Sequence, residues 1–357
     1  MYDIITIGSA TVDIFVESDS AKVVSVASKE KNTQFMSYQY GSKLEIDEFS
    51  FSVGGGGINT AANFSNLGFN TSTIVKIGTD FYAQAIKNQF QEKNIDTANI
   101  ITDTKDSSGF SVILLSFEGD RTVLAHRGTN ANIKISEINL DAIKNSKWLY
   151  IAPLNGNTNK ILDEIADFAE KYNVNMAINL GTTSIKKSKK HLPKILATAE
   201  VIIMNLEEAS LYTNIQPRPD TKEIKYSECK IHPDVIEILN KLKSTHAKII
   251  VVTDGKRGVY AYDGKKYYKA PEFPAKVVST LGAGDAFAST FVGTLEKFDW
   301  NIEKSLQYAS VNASSVVGNF GAQEGFLTFD EIEQKLKKEP NFKIDIYTSK
   351  DLEECMI

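Results

Sequence analysis

Short runs of β-branched and other apolar residues recur along the chain, at residues 4–7, 73–77, 148–152, 175–179, 201–204 and 249–253. Stretches with helical spacing lie between several of them. Phe81, Ala85, Ile86 and Phe90 fall on one face of a helix that Asp80 can cap, and Ile161, Ile165, Phe168 and Ala169 do the same further on. Strands that are apolar throughout, separated by helices, predict a parallel sheet covered on both faces, an α/β fold. Ligands of such sheets sit at the carboxyl ends of the strands.

Two regions depart from this alternation. Residues 11–51 are polar and strand-like, with no helical pattern. Residues 109–126 read as a hairpin turning at Glu118-Gly119-Asp120. Together they predict a small β-sheet attached to the edge of the main domain. Residues 215–232, with Pro217 and Pro219, read as an exposed loop, and the charged stretch from Lys335 to Ile357 as a partly mobile tail.

Composition narrows the function classes. The 357 residues are 42% hydrophobic and 24% charged, which suits one large or two modest globular domains. A net charge of −5 argues against a dedicated nucleic-acid binder, which would carry a basic face. No apolar run approaches the ~20 residues a membrane span needs. The first residues lack the basic and apolar regions of a signal peptide. Cys229 and Cys355 are too few for a disulfide framework and read as free thiols, so the expected setting is the cytoplasm.

Five polar or glycine-rich clusters carry the candidate chemistry. Ser279-Thr280-Leu281-Gly282-Ala283-Gly284-Asp285 precedes a helix marked by Phe291 and Leu295. The amides of Gly282, Ala283 and Gly284 would then form an anion-binding helix start. Asp285 beside them could take a proton from an attacking hydroxyl, or simply favour the helix dipole. Gly54-Gly55-Gly56-Gly57-Ile58-Asn59 also opens a helix; glycines permit close approach and Asn59 offers a donor and an acceptor, as a polyhydroxylated ligand requires. Thr253-Asp254-Gly255-Lys256-Arg257-Gly258 follows a strand, a common place for nucleotide phosphate, although a hairpin into Val259 explains its glycines equally well. Asn205 and Glu208 share a helical face and could order the water shell of Mg²⁺, or form a plain helix cap. Asp13, past the first strand, could chelate a sugar diol or sit in a turn. No GxxxxGK[ST] loop, HExxH, CxxC or GxSxG occurs, so phosphate handling needs another scaffold.

In this order the clusters resemble the signatures of the ribokinase (PfkB) family of carbohydrate kinases, over about residues 1 to 330. The resemblance implies a three-layer α/β/α ribokinase-like domain from residues 1–10, 52–107 and 128–335. It also implies a β-sheet lid from 11–51 and 108–127, leaving 336–357 as a C-terminal tail. It implies ATP- and Mg²⁺-dependent phosphorylation of a hydroxymethyl group on a sugar or nucleoside. Carried over by motif, Asp285 is the base and Gly282, Ala283 and Gly284 the anion hole. Thr253, Gly255 and Gly258 line the nucleotide, and Asn205 and Glu208 organise the metal. Asp13, Gly55, Gly56, Gly57 and Asn59 hold the acceptor.

Departures from the family pattern matter too. Ser279 stands where many members have an Asp that helps bind a monovalent cation, so K⁺ activation is left open. Gly321-Ala322-Gln323 still resembles the family's loop after the last nucleotide-contacting helix. The segment 22–50 is long for a lid and could reshape the acceptor pocket or build a lid-to-lid dimer; Phe35, Tyr38 and Tyr40 could stack on a base or pack in that dimer. An adenosine-type kinase and a non-catalytic sugar or nucleotide sensor on the same fold are the alternatives. A nicotinamide dehydrogenase would need GxGxxG after strand one, which Gly8-Ser9-Ala10-Thr11-Val12-Asp13 lacks.

Overall fold

The computed structural model describes residues 1–27, 32–115, 121–187, 189–218, 230–243, 245 and 247–355. The chain opens with β1 (Tyr2–Ile7), β2 (Thr11–Glu17), β3 (Lys22–Ala27), β4 (Asn32–Ser37) and β5 (Glu48–Gly54), then α1 (Gly56–Asn66), β6 (Thr71–Ile74), β7 (Lys76–Ile77) and α2 (Phe81–Glu92). Next come β8 (Ile101–Thr102), β9 (Gly109–Leu115), β10 (Arg121–His126), α3 (Leu140–Lys144), β11 (Ser146–Ile151), α4 (Leu162–Tyr172), β12 (Asn175–Asn179), α5 (Thr182–Lys187), α6 (Leu192–Thr198), β13 (Val201–Asn205), α7 (Leu206–Thr213) and α8 (Pro233–Lys243). The last part holds β14 (Ile249–Thr253), β15 (Val259–Tyr262), β16 (Lys266–Ala270), α9 (Ala283–Lys297), α10 (Ile302–Val317), α11 (Phe329–Lys338), β17 (Asp345–Thr348) and α12 (Ser349–Cys355).

The main sheet has nine strands in the order β17-β16-β15-β14-β13-β12-β11-β1-β6. Five of the six apolar runs and the start of the sixth form its parallel part, in the order β6-β1-β11-β12-β13-β14; the end of the run 73–77 is β7, paired with β8 in a separate two-stranded sheet. Successive side chains of these strands point to opposite faces. Ile5, Leu149, Met176, Ile202 and Ile250 pack with α4, α6 and α8 on one face. Ile4, Trp148, Ala177, Val201 and Ile249 pack with α1, α9, α10 and α11 on the other.

The purely parallel expectation needs correction at one edge, where β15, β16 and β17 add antiparallel to β14. The stretch expected to be a mobile tail supplies one of those strands. Phe342, Ile344 and Leu352 are buried there, and this apolar anchoring outweighs the charge around them. Ile231 and His232, at the end of the expected exposed loop, are buried as well. Residues 219–229 of that loop, Cys229 among them, the side chain of Cys355 and the Glu118-Gly119-Asp120 turn lie outside the described residues.

The two irregular regions meet in a second sheet, β10-β9-β2-β5. Its Val12 packs with Ile58 and Ala61 of α1 and with Ile86 and Phe90 of α2. The β3–β4 hairpin stands apart as its own two-stranded sheet, with Val24, Val26 and Phe35 exposed. Among the described residues no helix is long and apolar enough to cross a membrane.

Candidate active site

Gly8, Asn179, Asn205 and Thr253 gather at the carboxyl end of the parallel strands. Chain approach there is very close. A Cβ on Gly8 would lie 2.5 Å from the Gly57 nitrogen, and one on Gly57 would meet Val75 at 2.8 Å. The Gly57 N–H bonds Ser9 O at 3.0 Å, and Gly56 N–H bonds the Ser9 hydroxyl at 3.2 Å. These two amides, expected to face the acceptor, therefore dock α1 on the β1 turn. Gly55 caps α1 with φ 99°, a conformation that glycine adopts without strain.

Helices α1 and α9 are joined by two rungs of polar side chains one turn apart. Asn59 Nδ2 donates to Asp285 Oδ2 at 2.8 Å. One turn on, Asn63 Nδ2 donates to Ser289 and Thr290 hydroxyls at 2.8 Å each, and Asn312 of α10 closes the cluster. Asn59 and Asn63, like Asp285 and Ser289, are four residues apart and so share a helix face. Burial pushes the Asp285 carboxyl above the usual carboxylate range, and the Asn59 N–H pulls it partly back.

Asp13 is shifted the same way by burial, with Ser111 opposing. The glycine run separates the two carboxyls. A Cβ on Gly54 would lie 2.8 Å from Asp13 Oδ2, and one on Gly56 would lie 3.8 Å from Asp285 Oδ1. Ser52, across the β2–β5 ladder from Asp13, has a buried hydroxyl with no partner among the described residues. No sequence signal singles it out. Phe15 lies on the Asp13 face of β2 and touches the Phe320 ring at 5.0 Å between centroids. Phe35, Tyr38 and Tyr40 belong to or follow the separate hairpin, and Tyr40 is wholly exposed.

On the other side of the α9 start lies a crevice of about 280 Å³. It brings together Thr253, Gly255, Gly258, Ala283 and Gly284, from two separate stretches of the sequence. Gly284 faces open space, and among the described residues no acceptor meets its N–H. Gly282 is the αL cap of α9 with φ 77°; a Cβ there would collide with Ala322 O at 2.2 Å. Ser310 opens on the same crevice a buried hydroxyl with no partner among the described residues. The hairpin reading of the 253–258 turn also holds, since β14 turns directly into antiparallel β15. Lys269 of β16 braces this turn from behind by bonding Arg257 O, and burial pushes its ammonium down to about 8.

Asn205 and Glu208 form a reciprocal capping box on α7. Glu208 Oε2 accepts the Asn205 N–H at 3.0 Å, and Oε1 accepts the Thr182 N–H at 3.0 Å and its hydroxyl at 3.4 Å. Three donors occupy most of the acceptor positions of this carboxylate and leave one for a further partner. Among the described residues no group of three His, Cys, Asp or Glu could hold a metal. Neither Asn205 nor Glu208 lines the crevice, although Asn205 pairs in register with Thr253. The Ser279 hydroxyl accepts the Leu281 N–H at 3.2 Å and so braces the turn before α9.

Residues 20–328 match the model of the pfkB family carbohydrate kinases. A 5-dehydro-2-deoxygluconokinase of Geobacillus thermodenitrificans is 27% identical over 297 residues, covering 81% of this chain and 86% of that one. The ribokinase of Bacillus subtilis is 26% identical over 337 residues, 94% of this chain and all of its own. Arabidopsis thaliana ribokinase, solved with ribose and ATP, superposes with a TM-score of 0.76 at 19% identity, covering 94% and 99%. A Burkholderia thailandensis nucleoside kinase solved with inosine gives 0.72 at 14%, covering 95% and 99%. With the family model spanning most of the sequence and the ribokinase fold beneath it, the chain belongs to the pfkB family of carbohydrate kinases.

Proposed function

We propose that the chain transfers the terminal phosphoryl group of ATP to a hydroxymethyl group of a small sugar. One observation carries the reading: Asp285 and Gly284 occupy the same first turn of α9, the carboxylate on the side of Asp13 and the free amide on the side of the 280 Å³ crevice. A base and an anion-binding amide in adjacent residues suit an alcohol attacking phosphorus between them.

Asp13 and the Asn59 neighbourhood hold the acceptor, and Asp285 takes the proton of its attacking hydroxyl. The amides of Gly282, Ala283 and Gly284 take charge that develops on the transferred group. Thr253, Gly255 and Gly258 shape the nucleotide crevice. ATP supplies the phosphoryl group, and Mg²⁺ bound with its phosphates would offset their charge. Asn205, at the end of β13, and Glu208, in the first turn of α7, would order water around such an ion. The second sheet covers the acceptor and keeps water from competing for the phosphoryl group. Phe15, a flat apolar ring on the Asp13 face, favours a second reading in which the acceptor is a nucleoside.

The test is ADP formation from ATP and Mg²⁺ with ribose, fructose, 5-dehydro-2-deoxygluconate, adenosine and inosine. One acceptor should give turnover, and Asp285→Asn should lower kcat by about 10²–10⁴-fold without unfolding the protein. A folded protein that forms no ADP with any of them, yet shows ligand-induced thermal shifts, is a sensor instead.

A further inference from the structure

Behind the Asn59–Asp285 bond runs a line of side-chain amides that leads out of the site. Gln323, in the loop after α10, donates from Nε2 to Asn59 Oδ1 at 3.1 Å and to Val53 O of β5 at 3.0 Å. Gln89 of α2 donates from Nε2 to Gln323 Oε1 at 2.9 Å. Asn59 and Gln323 are both nearly inaccessible, at 4% and 6% exposure, so water cannot substitute for a lost partner. The line ends at a second cavity of about 500 Å³, whose wall includes Gln89 and Gln323 and also Phe15 and Ser52 of the second sheet, but neither Asp13 nor Asp285.

The direction of this line is fixed by one atom that cannot turn. A side-chain amide can flip and exchange its donor for its acceptor, but a backbone carbonyl only accepts. Val53 O therefore holds the Gln323 amide with its NH₂ inward and its oxygen toward Gln89. The second N–H of Gln323 then meets Asn59 Oδ1, which leaves Asn59 Nδ2 facing Asp285. A flip at any step would set two acceptors or two donors against each other in a buried place, where an unmet polar group is costly. Without Gln323 the Asn59 oxygen loses its donor, and only the charge of Asp285 keeps the N–H toward the carboxylate; once protonated, Asp285 can donate to that oxygen instead.

We propose that Gln323, backed by Gln89, is a positioning residue for the base: it locks the Asn59 amide N–H toward Asp285 and holds the carboxylate in its working orientation. The inference rests on Asp285 being the base. Burial disfavours the Asp285 anion, and the Asn59 N–H is the interaction that favours it. The other titratable groups facing this corner are Tyr150 of β11 and Asp13 of β2, neither of which brings a positive charge. Glu92 of α2 and Glu324 lie on the far side of the line, against the outer cavity.

The experiment is a ¹³C-carboxylate NMR titration of the full chain with labelled aspartate, the Asp285 signal being assigned by its loss in Asp285→Asn. In Gln323→Leu the midpoint of Asp285 should rise by about one pH unit, a tenfold gain in proton affinity, as expected for losing a hydrogen bond to a charged group. Gln323→Glu should move it the same way, since a carboxylate cannot donate to Asn59. Gln89→Leu should move it less, and Asn88→Leu, on the same cavity wall but outside the line, not at all. The acid limb of kcat/KM should follow the midpoint while the KM for ATP stays constant.

An unmoved midpoint in folded Gln323→Leu overturns the proposal. If that variant does not fold, an unmoved midpoint in Gln89→Leu does so. A shifted midpoint in a protein without kinase turnover keeps the relay and removes the kinase reading. Turnover with an unmoved midpoint does the reverse.

Discussion

Asp285 carries an energetic cost that a pH-dependent stability measurement can read. Its pKa is raised on folding by loss of water. A group so raised contributes stability that is complete below its unfolded value, about 3.9 for Asp, and is lost as pH rises through the folded value. At neutral pH the anion therefore works against folding. Asp285→Asn should raise Tm at pH 7, with the gain disappearing as the pH falls toward 4. A Tm below that of the parent at pH 7, read by scanning calorimetry, would contradict this. Asp13, displaced in the same direction, adds to the same trend. At this scale the motif positions were legible in the sequence, because glycine and acidic residues are scarce enough at such spacings to stand out. Ser52 and Lys269 were not, and Gln323 stood out only as part of Gly321-Ala322-Gln323, without its role. A lone amide, hydroxyl or amine has no period or partner spacing, and its role exists only once distant segments are packed together.

At the scale of elements, the α9 start separates two glycines that look alike in sequence. Gly282 has a left-handed backbone and the Ala322 carbonyl against it; Gly284 has helical geometry and open space. Gly282→Ala should cost about 1–2 kcal/mol for the backbone alone, with the Ala322 collision in addition. Gly284→Ala should leave stability unchanged or up to about 1 kcal/mol higher. Its methyl group projects into the nucleotide crevice, so KM for ATP should rise. Urea midpoints and ATP titrations of the two variants separate the roles; equal loss of stability in both would refute the distinction. The helix itself was readable from Phe291 and Leu295, whereas the conformation of each glycine was not. Glycine permits both backbones, and only the neighbour at Ala322 decides.

Across the whole molecule, five of the parallel strands announced themselves as mostly apolar runs, as burial between two helical layers demands, while β6, Thr-Ser-Thr-Ile, showed through its β-branched residues and the run that follows it. The antiparallel edge showed only through the hairpin into Val259; beyond it Tyr262, Tyr267 and Tyr268 mix with Lys266 and Lys269 in a pattern that does not separate a sheet edge from a surface hairpin. The last strand was hidden by the charges around Ile344 and Ile346. The second sheet was foreseen as a unit, since its pieces had no place in a parallel order.

That last strand has a consequence of its own. Register pairs Tyr268 with Ile346 and Lys269 with Asp345, so β17 occupies the hydrogen-bonding groups of β16, the strand that braces the nucleotide turn. Removing residues 343–357 would bare a row of unpaired amides and carbonyls beside four tyrosines, an invitation for other copies to add their own strands. The shortened protein should form larger assemblies in light scattering than the intact one, and loss of nucleotide affinity should accompany it. A monodisperse, fully active truncation would show that the border needs no guard.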